Sequence, residues 1–503
     1  MAIGSNLAAN TAFSLWSAAS TLLAVPILVR YLGIESYALV GVYLSMQGLL
    51  SILDFGLAPA TNRQIARNLA NGCQRTNANL LATMAPLYWG VAAIIAILAI
   101  PAATLLANHW LKISNETTNV ERSLAIIGFV IAARWPATLY QSALMGAQRI
   151  VMISGLGIAM ITISTGGGLL TVAVINPSIE LFFLWQLICA LAFTQVMRLN
   201  AWIVIGNKSS AAKDFQLIRN IWPFSAGMAG VSLTAILIQQ LDKVLLSKWL
   251  TISDFANYMV AGALSAGLYI ILTPVFNSIY PRFSTHIANH AITELRREYR
   301  LATRLLCCAL FPVAMSGVFF AKEILSLWLG ERALASQIAP VFVMLVIGTT
   351  MNGIMHLPYA LQLAAGRSRL PFVINIFLIS IYLPLVYALT SRYGLLGGSA
   401  ASMIQGILYL FVGSHITHKL LMHGMSCKWL IKDVLPAAAL SASCLFFLKL
   451  ALTDVTLSAL ASTLIAVASA VGLIAVCLFC FIPAQSLTLI VHRILRARDS
   501  AES

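Results

Sequence analysis

Residues Arg30 to Arg67 read RYLGIESYALVGVYLSMQGLLSILDFGLAPATNRQIAR. The apolar run from Tyr37 to Pro59 is flanked by basic ends. That is the pattern of a membrane-crossing helix, since roughly 20 residues at about 1.5 Å each traverse a hydrocarbon layer of about 30 Å. Landmarks of this stretch return later in the chain, in the same order. Arg30-Tyr31-Leu32 returns as Lys248-Trp249-Leu250, Pro59 to Arg63 (PATNR) as Ser278 to Arg282 (SIYPR), and Gln148-Arg149 as Gly366-Arg367, at offsets of 218, 219 and 218 residues. Three separate anchors at one spacing point to duplicated halves, the build of many secondary transporters.

Working outward, the 503 residues are 60% hydrophobic and only 9% charged, with a mean hydropathy of +0.89. This excludes an ordinary soluble globular domain and leaves an all-α polytopic membrane protein. Counting apolar runs of membrane-crossing length gives about fourteen transmembrane helices. Six lie between Ala9 and Ile205 and six between Pro223 and Ile416, while Val434 to Leu450 and Leu457 to Ile482 fall outside the repeat. The expected organisation is two six-helix lobes, 1–215 and 216–420, followed by 421–503 with two additional helices and a basic tail. Both halves begin on the same side, so the repeat is parallel.

The formal charge of +15 does not argue for nucleic acid, because the basic residues sit in short loops between apolar spans instead of on one face. Those loops orient the chain. Twenty Lys and Arg residues fall on one side, among them Arg63, Arg67, Arg149, Arg282, Arg296, Arg300, Arg304, Lys428 and Lys432, against eight opposite. By the positive-inside rule both termini are cytoplasmic. The first residues lack a positive n-region and lead into a full span, so the first helix reads as retained. Cys73 and Cys427 fall in basic loops and the other six cysteines in spans, a placement that argues against disulfides.

The stretch Arg30 to Arg67 resembles the opening motif of the bacterial polysaccharide-transport proteins. These are the O-antigen and related lipid-linked oligosaccharide flippases of the superfamily that includes multidrug exporters of the MATE type. The seventh expected span, QQLDKVLLSKWL (Gln239 to Leu250), with ISDFANYMVAGAL after it, resembles that family's Asp-Lys/Arg pair and downstream Tyr-x-x-Ala. The turns MGAQR (Met145 to Arg149) and AAGRSR (Ala364 to Arg369) extend the resemblance over roughly the first 420 residues. Ala38 and Asn257 stand where such sequences often carry Gly.

The resemblance implies an alternating-access carrier in the bacterial inner membrane, moving an undecaprenyl-diphosphate-linked sugar unit from the cytoplasmic to the periplasmic leaflet. Implied partners are the lipid-linked oligosaccharide, membrane lipids, a polysaccharide polymerase and glycosyltransferases. No enzyme activity, cofactor or metal is expected of the chain itself. A MATE-like exporter of small molecules is the alternative, and a membrane-embedded polymerase, ligase or glycosyltransferase a third class. The latter would need a sizeable outer loop or an acidic catalytic constellation, which the sequence does not offer.

Residues that should not lie in hydrocarbon are the candidate site. Arg134 falls near the middle of the fourth span, Arg198 in the inner half of the sixth, and Asp242 with Lys243 in the outer half of the seventh. A basic group at the bilayer centre costs on the order of 2.5 to 3.5 kcal/mol, so such groups must face water, a partner or a ligand. Adjacent on a helix, Asp242 and Lys243 point about 100° apart and cannot share one direct environment. Asp54 lies near the inner end of the second span, either paired with Arg63 or Arg67 or acting as an ion-coupling carboxylate. The Gly and Pro beside it favour a helix break there. By the repeat offset Arg134 maps to Asn352, so basic charge at that level is confined to the first half. This suits a diphosphate, for which Arg supplies forked donors. Gln239, Asn352, Tyr140, Gln141, Gln195, His356 and Gln405 are candidate hydrogen-bonding groups for sugars, although such residues more often join helices.

Other signals carry less. His286 and His290 have the i, i+4 spacing of metal ligands without a third, so an amphipathic cytoplasmic helix accounts for them better. Cys477 and Cys480 read as small apolar packing, and Gly166 to Gly168 as a close helix approach. No GxxxxGK[ST] occurs, which argues against ATP hydrolysis. The tail Leu487 to Arg498 is amphipathic and basic, suited to the inner leaflet. The orientation is checked by tags at both termini, which should report from the cytoplasm, and by a cysteine placed at Asn115, which should react from the periplasm. Periplasmic reporting from either terminus would invert the map.

Overall fold

A computed structural model describes residues 2–71, 74–111, 117–206, 211–367, 369–453, 455 and 457–482. Cys73, Lys112, Asn115, Lys208 and the tail from Leu487 lie outside the described residues. Helices dominate, and no β-strand occurs among the described residues. Within hydrocarbon every peptide group must find its partner inside the protein, which a helix provides within its own segment. The outward faces are strongly apolar, with Ile203 79% and Phe479 85% exposed. The protein is a multi-pass membrane protein.

The chain divides into two compact units, residues 2–256 and 257–503. In the first, helix Thr117–Arg134 packs against Gln74–Leu105 and Ile179–Ile205. A Cβ on Gly128 would lie 2.6 Å from the Ala99 methyl, so a small residue sets that approach. Leu80, Met84, Leu139 and Met197 are fully buried in the core. A chain of amides ties helix Leu57–Ala70 to Gln74–Leu105: Gln64 donates to Asn68 (2.9 Å), and Asn68 to Asn77 (2.8 Å). Gly167 and Gly168 sit under Trp185 and Phe182, a close approach at two of the three glycines, while a Cβ on Gly166 would meet nothing within 4 Å.

In the second unit, helix Ile292–Phe319 is flanked by Tyr269–Ala288, Arg332–Ile354 and the last two helices. Lys449 donates to Glu323 at 2.6 Å, and Ser316 to the Ala466 carbonyl at 3.2 Å. The units differ from the expected divisions at 215 and 420 for a physical reason. Helix Phe215–Trp249 packs on Ile34–Leu50 and Leu57–Ala70, and the last two helices pack on Ile292–Phe319. Helix Tyr269–Ala288 stops short of His290, which takes a left-handed turn (φ 55°), and His286 meets Glu298 at 2.6 Å.

Twelve helices among the described residues are long and apolar enough to cross a membrane, against the fourteen expected. One of the twelve, Arg369–Leu421, is 53 residues long, far more than one crossing requires. It breaks at Gly394 (φ 55°, ψ −130°), between the apolar runs Leu370 to Thr390 and Leu395 to Ile416, which the sequence reading counts as two spans. Helix Phe215–Trp249, which holds the seventh expected span, is not among the twelve.

Local geometry recurs at the sequence offset. Amides 147, 148 and 149 bond to carbonyls 143, 145 and 144, while amides 365, 366 and 367 bond to carbonyls 361, 363 and 362. Gln148 (φ 59°) and Gly366 (φ 68°) take the same left-handed conformation. Each turn follows a helix in two pieces: Thr117–Arg134 with Ala137–Gly146, and Arg332–Ile354 with His356–Ala364.

Gly397 permits the reversal at Gly394, because a Cβ there would collide with the Leu389 carbonyl. Gly397→Ala should cost about 1–3 kcal/mol by overpacking, while Gly472→Ala, whose Cβ meets nothing within 4 Å, should be neutral or stabilising. Thermal midpoints in detergent compare the two. Equal midpoints would contradict the close approach.

Candidate functional site

The first unit contains a cleft of about 430 Å³ whose polar lining includes Gln47, Ser51, Asp54, Arg134, Thr138 and Gln141. Two helix breaks build it. The first follows Asp54. Residues Ser51–Asp54 tighten into a 3₁₀ turn, Phe55 (φ 47°) and Gly56 (φ 74°) turn left-handed, and the helix restarts at Leu57. A bulky residue in that conformation costs about 1–2 kcal/mol, and Phe55 lines the cleft. Asp54 stabilises the restart: one carboxylate oxygen accepts from the Ala58 amide at 3.0 Å, the other from the Tyr88 hydroxyl. Negative charge at a helix N-terminus is favourable, and the carboxylate satisfies an otherwise orphan amide.

The second break follows Arg134, the last residue of helix Thr117–Arg134. Pro136 has no amide proton, so the helix cannot continue its ladder there. Thr194 donates to the Ala133 carbonyl at 2.7 Å beside the break, and Thr138 to the Trp135 carbonyl at 2.8 Å. Arg134 is half-buried and makes a long contact, 3.4 Å, with the Tyr43 hydroxyl. Among the described residues no acidic side chain comes within 4.0 Å of its guanidinium. The cleft thus presents a forked cationic donor, a partnered carboxylate and neutral hydrogen-bonding groups on otherwise apolar walls. This chemistry suits holding an anionic polar group inside a membrane protein.

The sequence candidates do not all converge. Asp54 and Arg134 line the cleft together, with Gln141. Helix Phe215–Trp249 contributes Leu233 and Ile236 to the lining, and Gln240 and Lys243 continue that stripe at helical spacing. Gln240 lies where a Cβ on Gly48 would be, 2.5 Å from its Nε2. Lys243 donates to the Gln239 carbonyl (2.7 Å) and to Gln240 Oε1 (3.4 Å). Neither Gln239, Asp242 nor Lys243 lines the cleft, and neither does Arg198, which contacts Gln195 at 3.4 Å on its own helix. Tyr140 is buried, accepting from the Trp89 indole at 3.1 Å. Asn352 belongs to the second unit, and its carbonyl accepts from His356 Nδ1 at 3.3 Å. The sequence reading missed Tyr88 and Tyr43, whose only signal is a hydroxyl carried within an apolar run.

The family model described as "Polysaccharide biosynthesis protein" matches residues 3–286, more than half of the chain. The chain belongs to that family. A Shigella flexneri protein described as "Putative O-antigen transporter" is 23% identical over 411 residues, covering 79% of this chain and 94% of its own. Among solved structures, the lipid II flippase MurJ in an inward closed conformation superposes with a TM-score of 0.70 at 15% identity, covering 92% of this chain and 96% of its own. An inward-facing multidrug resistance MATE family transporter of the MOP superfamily gives 0.68 at 13% identity, covering 80% and 94%. At these identities the two structures establish the fold, which this family member shares.

The Asp54–Tyr88 pair makes a stability prediction. Asp54→Ala and Tyr88→Phe should each destabilise by about 1–2 kcal/mol. The double variant should lose less than the sum by at least ~0.5 kcal/mol, because each removes the same bond. Strict additivity of the detergent unfolding midpoints would show that the bond contributes nothing.

Proposed function

We propose that the chain is a flippase that translocates an undecaprenyl-diphosphate-linked oligosaccharide, an O-antigen or other surface-polysaccharide unit, across the bacterial inner membrane by alternating access. In this reading both termini are cytoplasmic, and residues 1–215 and 216–420 act as two six-helix lobes of a fourteen-helix protein. The observation that carries it is the half-buried Arg134, which lines the cleft and has no acidic side chain within 4.0 Å of its guanidinium among the described residues. Its family membership and its likeness to an O-antigen transporter support the same cargo class.

Arg134 receives the diphosphate, because a planar guanidinium pairs with two phosphate oxygens at once. Lys243, about 10 Å along its helix from Ile236, or Arg198 assists. Gln239 and Asn352 hydrogen-bond the sugars, and Asp242 completes the substrate-binding set. Asp54 couples an ion to the cycle, since protonation or cation binding there would weaken its hold on the Ala58 amide and hence the helix restart. That carboxylate also favours a second reading, a MATE-like ion-coupled exporter of small molecules, in which Asp54 attracts the cation and Arg134 is only structural.

Glycan export and membrane abundance measured in the same cells separate these. Arg134→Ala should abolish export at normal abundance, and Arg134→Lys should recover only part, since an ammonium cannot offer two parallel donors. Loss of abundance together with export would indicate a structural arginine. Normal export by Arg134→Ala would defeat the cargo contact.

A further inference from the structure

The second unit holds a separate cleft of about 710 Å³ where helix Ile292–Phe319 and the span Cys427–Ala451 begin. One wall carries Arg296, Arg297, Arg300 and Arg304, the other Lys428 and Lys432. Arg296, Arg300 and Arg304 follow an i, i+4, i+8 spacing and share a face, as do Lys428 and Lys432. Like charges so arranged repel unless an anion lies between them. Among the described residues, one carboxylate pairs with this wall. Asp433, whose side chain is fully buried, accepts from Arg300 Nε (2.8 Å) and Nη2 (3.2 Å) and from Arg304 Nε (2.6 Å). Glu298 is committed to Arg282 (2.9 Å) and His286 (2.6 Å), and Glu294 is exposed and outside the lining.

The cleft is rigid in its construction. Asp433 fixes both guanidinium groups, and the buried Trp429 donates to Thr303 at 2.9 Å, locking the short helix that carries Lys428 against the arginine wall. Arg300 and Arg304 still expose 40% and 27% of their side chains, so donors remain for a ligand. Next to Lys432, Ile431 (61%) and Leu435 (56%) are exposed, which gives the rim an apolar surface suited to acyl chains. Basic pockets at the ends of membrane helices hold phosphate headgroups through this combination of charge and apolar rim.

We propose that this cleft binds a lipid headgroup carrying two phosphates, with the arginine wall and the lysine wall each meeting one phosphate. Two kinds of lipid share that chemistry, a resident diphosphatidylglycerol and an undecaprenyl diphosphate. The site uses none of the residues of the Asp54–Arg134 cleft and does not rest on the export reading.

The test uses the full-length protein and native mass spectrometry after detergent extraction, with diphosphatidylglycerol, undecaprenyl diphosphate, phosphatidylethanolamine and inorganic pyrophosphate as separate probes. Wild type should retain at least one of the two bis-phosphate lipids about tenfold over phosphatidylethanolamine, and Lys428→Gln/Lys432→Gln should lose about tenfold of that retention. The lipid that responds identifies the source. Neither lysine bonds Asp433, so the fold should survive. If the thermal midpoint nevertheless falls, Arg297→Gln on the exposed edge gives the same comparison. No preference over phosphatidylethanolamine, equal retention by wild type and variant, or binding of pyrophosphate without either lipid would overturn the proposal.

Discussion

Every backbone polar group inside a bilayer must find a partner within the protein, and the architecture turns on the few places where the helical ladder is interrupted. After Asp54 the ladder breaks over Phe55 and Gly56, and the carboxylate supplies the acceptor that the Ala58 amide needs. After Arg134 it breaks at Pro136, with Thr194 bonding the Ala133 carbonyl nearby. Both breaks open onto the same cleft. Uninterrupted helices would close this space with apolar side chains, so the capping bonds that tolerate the breaks also create the polar cavity.

The apolar runs made the all-α membrane class legible from sequence alone, and the 218-residue offset led to turns with matching hydrogen bonds at 143–149 and 361–367. A local turn is encoded by a handful of residues, so its recurrence survives in sequence. The division at 256 was not legible, because it depends on which neighbours helix Phe215–Trp249 packs against. The span count differs at two places: at Gly394, where two apolar runs of the sequence form one continuous stretch of helix that reverses there, and at helix Phe215–Trp249, which is not among the twelve.

At the site, charge was the readable signal. Asp54 and Arg134 stood out because ionisable groups are costly in hydrocarbon, and they line one cleft. Arg198 and Lys243 stood out for the same reason yet bond within their own helices, since long side chains can satisfy themselves locally. Tyr88 and Tyr43 gave no signal, as a tyrosine in an apolar run resembles ordinary packing. The two units also differ in charge: Arg134 corresponds to Asn352 by the offset, whereas the second unit gathers its basic residues around Asp433.

The central claim is that a family member with this cleft moves an anionic lipid-linked glycan. Its most direct test is transbilayer movement in proteoliposomes loaded with a defined undecaprenyl-diphosphate oligosaccharide, read by access of an external lectin or glycosidase, beside a parallel assay of a small organic cation. The account predicts protein-dependent exposure of the glycan and no protein-dependent flux of the cation. Cation flux coupled to an ion gradient, with the glycan lipid remaining in its original leaflet, would contradict it.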